Sequence, residues 1–200
     1  MRKHLLLIFP ILVSCQWGTS PPTVTDEECQ DEVKKIHECA KDPNVLDKVE
    51  KLSFANKTEA LLLAKEIGEI IDCSGQVNCN ISRLVQSYLH NKQWIVTQLA
   101  ERLNACLVQS GLQKEIKSEC RPPFVAPEGP PPVNPESELC DNSYMTQCVM
   151  EKVRSHPDEC SAAQRRLVSK LMQAFKADCL MEQQMKVEMN KHGIQYPPSF

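Results

Sequence analysis

Glycine is scarce in this chain, six in 200 residues, and only 5% of the residues are aromatic. Both shortages, with few strand-type runs, argue against a β-sandwich and for helices. No apolar run reaches eighteen residues, so no segment is long enough to cross a bilayer as a helix. An excess of basic charge is missing as well: 23 Lys and Arg stand against 26 Asp and Glu, for a net charge of −3. That balance excludes nucleic acid as the natural partner, because phosphates demand a basic face. No two cysteines lie nearer than six positions, so the close pairs that would hold zinc are absent. The five histidines (4, 37, 90, 156 and 192) show no His-x-x-x-His spacing, and His37 and His90 read as surface or helix-end residues. Neither a Gly-x-Ser-x-Gly elbow nor a phosphate-cradling glycine loop occurs. No metal, no cofactor and no enzyme activity are expected.

What is present begins with a secretory leader. Arg2, Lys3 and His4 form a short basic start, Leu5 to Val13 an apolar core, and Val13-Ser14-Cys15 a small-residue cleavage site. The run Leu12-Val13-Ser14-Cys15 also matches a lipoprotein box, in which Cys15 would be lipidated rather than removed. Removal of residues 1–15 takes Arg2 and Lys3, leaving 21 basic against 26 acidic side chains. Asn56-Lys57-Thr58 and Asn80-Ile81-Ser82 are glycosylation acceptors and fit a secreted, extracellular protein.

Of the 11 cysteines, ten remain without Cys15: Cys29, Cys39, Cys73, Cys79, Cys106, Cys120, Cys140, Cys148, Cys160 and Cys179. An even set in a secreted chain implies disulfides. At 42% apolar residues the chain also builds a core, which the bridges supplement.

Helical periodicity is clearest between Asn56 and Asn80. Ala60, Leu63, Ala64, Ile67, Ile70 and Ile71 share one face, while Glu59, Lys65, Glu66, Glu69 and Asp72 take the other. This greasy helix, running into Cys73 and Cys79, reads as the centre of the bundle. Leu62 intrudes on its polar side, which predicts cover there too. An acidic pair such as Glu66 and Glu69 has the groups for acid–base work, but on this helix both fall on the solvated side.

Ahead of this helix, Thr25-Asp-Glu-Glu28 is a capping box for a helix bearing Cys29, Val33, Ile36 and Cys39. Asp42-Pro43 then starts a short helix carrying Val45, Leu46, Val49 and Leu52. Behind it, Asn80 reads as the cap of a helix through Leu84, Val85, Tyr88 and Leu89. A separate amphipathic segment, 91–110, carries Ile95, Leu99, Leu103, Cys106 and Leu107 and ends at Gly111. Leu112 to Cys120 adds one or two turns.

Between Arg121 and Pro135 seven of fifteen residues are proline, so this stretch is an extended connector. A helical hairpin follows. Its first helix, 142–155, bears Tyr144, Cys148 and Val149 and breaks at His156-Pro157. The second starts at Asp158 or Ser161 and carries Leu167, Val168, Leu171, Met172, Phe175 and Cys179. Met181, Met185 and Met189 continue it as a four-step stripe, read first as core and second as a partner or lipid surface. Arg165, Arg166 and Lys170 read as a solvated basic face.

The domain plan is therefore a helical cysteine-rich module (24–120), the connector (121–135), a hairpin (136–193) packed on that module, and a tail (194–200). Pairing within each side of the connector leaves about 45 connectivities of about 945. Cys148 and Cys160 flank the His156-Pro157 turn, and a hairpin would bring them together, leaving Cys140 for Cys179.

The pattern Leu-x-x-x-(aliphatic)-x-x-x-(aliphatic)-Asp-Cys, closely followed by a second Cys, is one of two familiar features. The other is the run Tyr144-x-x-x-Cys148, Val149, Val153, Cys160 and Leu167 to Cys179. Together they resemble the large nematode family of secreted, cysteine-rich helical domains of unknown function. The likeness covers roughly Cys29 to Cys179. It implies a helical, disulfide-stapled fold and brings no active-site residues. The proline connector and the lack of a cysteine just ahead of the central helix depart from that family. The sequence thus predicts an all-α, disulfide-stapled bundle that works by binding a protein partner. The rival is a carrier of a small hydrophobic ligand, a fatty acid or sterol-like molecule, in a cavity between the central helix and segment 91–110.

Overall fold

A computed structural model describes residues 24–52, 56–120 and 140–194. The expected leader, the connector 121–135 and the tail from 195 lie outside the described residues. Every described element is a helix, and five disulfides staple the bundle.

Helix α1 (Asp26–Glu38) starts at the Thr25 capping box: Thr25 Oγ1 accepts from the Glu28 amide at 3.2 Å, and Glu28 Oε2 accepts from the Thr25 amide at 2.8 Å. Helix α2 (Val45–Lys51) begins two residues beyond Pro43. There Asp42 Oδ1 accepts from the Asn44 amide at 2.8 Å, a local turn that holds the chain out of the helix until Val45. Helix α3 (Lys57–Ser74) is capped by Asn56, whose Oδ1 accepts from the Glu59 amide at 3.1 Å.

Helix α4 (Asn80–Glu101) replaces the two helices expected around position 90. Asn91 is no cap. Its Nδ2 donates to Ala174 O at 2.9 Å and to Asp178 Oδ1 at 2.6 Å, so its polarity serves a neighbouring helix and α4 runs through unbroken. Asn80 is no cap either, being already helical. The position before it, Cys79, makes no side-chain cap bond. Instead Glu32 reaches over from α1 and accepts from the Asn78 and Cys79 amides at 2.9 Å each.

Beyond α4 the chain tightens into a π-helical turn (Asn104–Gln109), and Gly111, at φ 84°, makes the left-handed step into α5 (Leu112–Glu119). Helix α6 (Ser143–Ser155) ends at His156, and α7 (Ala162–Lys191) opens on a second capping box between Ser161 and Gln164.

Two large apolar clusters form most of the core, with a small third one between α3 and α4. One gathers α1, α2, α3, the first half of α4 and the far end of α7, where Met185 and Met189 are fully buried. The methionine stripe is therefore core. The other gathers Ile95 and Leu99 of α4, the π-turn, α5, α6 and the near half of α7. Only α4 and α7 supply buried residues to both clusters. At 22 and 30 residues they are about 33 and 45 Å long, and they pack on each other. That pair, rather than α3 alone, is the spine. Leu62, expected to be covered, is 63% exposed.

The bridges join Cys29 to Cys79, Cys39 to Cys73, Cys106 to Cys160, Cys120 to Cys148 and Cys140 to Cys179. The expected Cys148–Cys160 pair is not formed. Cys148 lies eight residues before His156, about 12 Å up α6, whereas Cys160 sits at the foot of the hairpin. Each reaches a different neighbour from before the connector: Cys120 with Cα atoms 5.5 Å apart, and Cys106 at 4.8 Å. Two bridges therefore tie the hairpin back onto the first part of the chain.

Candidate functional site: an apolar groove between α5, α6 and α7

The site is lined largely by side chains of the second core cluster, with half-buried neighbours at its edge. Helix α7 supplies Val168, Leu171, Met172, Phe175 and Cys179, spaced three and four apart and so on one face. Met145 and Val149, one turn apart on α6, form the facing wall, and Ile116 of α5 closes the third side. Leu99 of α4 and Leu107 of the π-turn also contribute. The cavity measures about 510 Å³, within the range of small-molecule sites.

Its floor is firm. Val149, Val168, Leu171, Leu99 and Leu107 are all buried, while Phe175 at the mouth is 40% exposed. Cystine anchors surround it. Cys140–Cys179 lines the groove itself, Cys120–Cys148 joins α6 to the end of α5, and Cys106–Cys160 ties the π-turn to the foot of α7. On the outside of α5 and α6 Lys152 Nζ lies 2.7 Å from Glu115 and 2.6 Å from Glu119. Glu115 is held below the usual carboxylate range, first by its hydrogen bond from Lys152 and further by the charges of Lys152 and His156.

The ionisable groups lining the groove, among the described residues, are Lys117, Asp141 and Lys176. Asp141 is turned into the first turn of α6, where it accepts from the Ser143 amide at 3.0 Å and the Ser143 hydroxyl at 3.1 Å. Those bonds hold its carboxyl below the usual range. A polar cleft of about 520 Å³ opens on the other side of the α6–α7 pair and shares Asp141, Asn142, Met172 and Lys176 with the groove.

The cavity expected between α3 and segment 91–110 is filled. Ala60 and Ala64 of α3 meet Val96 and Ala100 of α4, all four buried, and such small side chains bring the two helices close. Only Leu99 and Leu107 of that segment reach the observed groove. A third void, under α1 and α2 beside Ile36, Pro43 and Leu46, is about 20 Å³, room for a single water.

Other candidates fall elsewhere. Glu69 is exposed and paired with Lys41 at 2.7 Å and Lys65 at 3.4 Å; the Lys41 hydrogen bond holds it ionised, an ion-paired surface carboxylate. Cys29, Cys79 and His192 bring their donor atoms within 4.8 Å of one another, but both sulfurs are committed to one disulfide. His192 Nδ1 itself lies 2.6 Å from Asp26 Oδ1. Arg165 of the basic face donates to Cys160 O at 2.7 Å and so braces the hairpin turn.

The groove residues were visible in the sequence only as core positions. Val168, Leu171, Met172 and Phe175 read as one stripe, yet nothing local says that α5 and α6 stand apart far enough to leave its outer edge open. Compared with protein-family models, with curated proteins and with solved structures, the chain matches none.

Proposed function

We propose that this is a secreted, extracellular, non-enzymatic binding protein that carries a small hydrophobic molecule in the groove between α5, α6 and α7. The observation that carries the reading is a preformed apolar cavity of about 510 Å³ whose walls are held by three disulfides. Cross-linked walls keep the site open without ligand, which lowers the ordering cost of binding. Five disulfides support a life in an oxidising compartment, as do the leader and the sequons. Both sequon asparagines are exposed, and the Asn56 cap uses Oδ1 and leaves Nδ2 for a glycan. Asn80 shares a hydrogen bond with Glu188, and Ser82 of its sequon is buried.

The test is direct. Protein taken through a secretory host, examined by native mass spectrometry before and after solvent extraction, is expected to release one apolar ligand per chain. The emptied protein should then bind a neutral naphthylamine dye. Charges placed on the walls, Met145→Arg or Phe175→Arg, should weaken dye binding about tenfold or more, because a bound apolar ligand would cover the guanidinium and leave it without a partner. Thermal midpoints should hold, since neither side chain is fully buried. A wild-type protein that carries no lipid and binds no dye would overturn the carrier role.

A further inference from the structure

Resting on that reading, we propose that the ligand is a single-chain aliphatic carboxylate, its tail along α7 and its head group at the lysine-bearing mouth. Two features carry this: the shape of the groove and the sign of its rim. The lining face of α7 runs from Val168 to Cys179, about 17 Å of helix axis. One acyl chain spans about half of a bilayer's ~30 Å hydrocarbon core, so a single tail fits that length.

Among the described residues the rim carries two lysines against one aspartate, in a chain that is negative overall. Among the described residues, Asp141 is the one acidic side chain that reaches the groove, against Lys117 and Lys176. The Asp141 carboxylate accepts from the Ser143 amide and hydroxyl of α6 and also feels the charge of Lys176, which leaves Lys117 as the cation without an acid beside it among the described residues. Lys117 lines the groove and has no ion pair with any described residue. Lys176 stands near the Cys140–Cys179 end, where groove and polar cleft meet, and Arg154 adds a further cation to that cleft. An apolar trough that carries two lysines and, among the described residues, one acid fits a tail with a carboxylate head. A neutral sterol or alcohol would leave Lys117 unmatched.

The experiment compares palmitic acid, cetyl alcohol and methyl palmitate, three probes with the same chain, at neutral pH by dye displacement from the intact protein. Palmitic acid is expected to bind five- to tenfold more tightly than the other two, the size of one or two half-exposed ion pairs. Added salt should erode that gap and leave the alcohol unaffected. Lys117→Gln with Lys176→Gln should erase it while cetyl alcohol still binds, which also reports that the variant is folded. Equal affinity for acid, alcohol and ester would overturn the carboxylate head group while leaving the carrier role standing. Binding of none of the three would bring down both. Binding that appears only after residues 122–138 are exchanged for a Gly/Ser chain of equal length would give the groove to the protein's own connector and likewise overturn the proposal.

Discussion

Asp178 is 5% exposed, among the few charged side chains taken into the interior. Lys92 Nζ comes within 2.8 Å of its Oδ2, off the hydrogen-bonding direction, while Asn91 donates to Oδ1 and Lys92 also lies 5.0 Å from the centre of the Tyr88 ring. These contacts pin the middle of α4 to α7, and the polar pair Asn91-Lys92 looks in the sequence like a break between helices. Its charge is matched only across the interface. Asp178→Asn should therefore destabilise the protein by about 3 kcal/mol, because Lys92 is left charged and nearly enclosed. The paired change Asp178→Leu with Lys92→Met should recover most of that loss, as replacing both members of a buried pair commonly does. Urea midpoints of the three proteins check this, and a double variant no better than the single would refute it.

At the scale of the element, most helices declare themselves. The capping boxes at Thr25 and Ser161, the Asn56 cap, the Gly111 step and the His156-Pro157 break are local chemistry: each depends on residues within four positions. Helix α4 is the exception, because its start is capped from outside. Glu32 is partly desolvated on α1, which by itself would raise its pKa. The Cys79 and Asn78 amides outweigh burial and hold the carboxyl below its usual range. A lowered folded pKa means that Glu32 stabilises the fold fully above the ordinary glutamate value. That contribution is lost as pH falls through the lowered folded value. Glu32→Gln should thus be less stable than wild type at neutral pH, and the difference should vanish on acidification. Stability curves of the two proteins from neutral to strongly acidic pH measure it; parallel curves would contradict the cap. The π-turn is the other element that periodicity misses. Leu103, Cys106 and Leu107 lie on a stripe that also fits an ordinary helix, but the Leu103 amide bonds Gln98 O and the Ser110 amide bonds Ala105 O, each five residues back.

The whole molecule is held by cross-links of long span. Cys106–Cys160 and Cys120–Cys148 close 54 and 28 positions and bind the hairpin to the π-turn and α5. Changing Cys120 and Cys148 together to serine should cost about 3.6 kcal/mol on loop-closure entropy alone. The loss should fall on the groove first, since this bridge joins two of its walls. Chemical denaturation with dye binding on the same samples reads both effects, and unchanged dye affinity would mean that the walls stand without it.

The amino-acid sequence alone determined the class: helices, because the apolar residues recur at three- and four-residue steps and glycine and strand runs are few. It also determined the need for cross-links, because ten cysteines stand at wide spacing without metal-ligand pairs. Which cysteines meet, that α4 is continuous, and where the cavity lies were decided only in three dimensions. Pairing and cavities depend on distances between helices far apart in the chain, and periodicity records which face is apolar without saying what will stand against it.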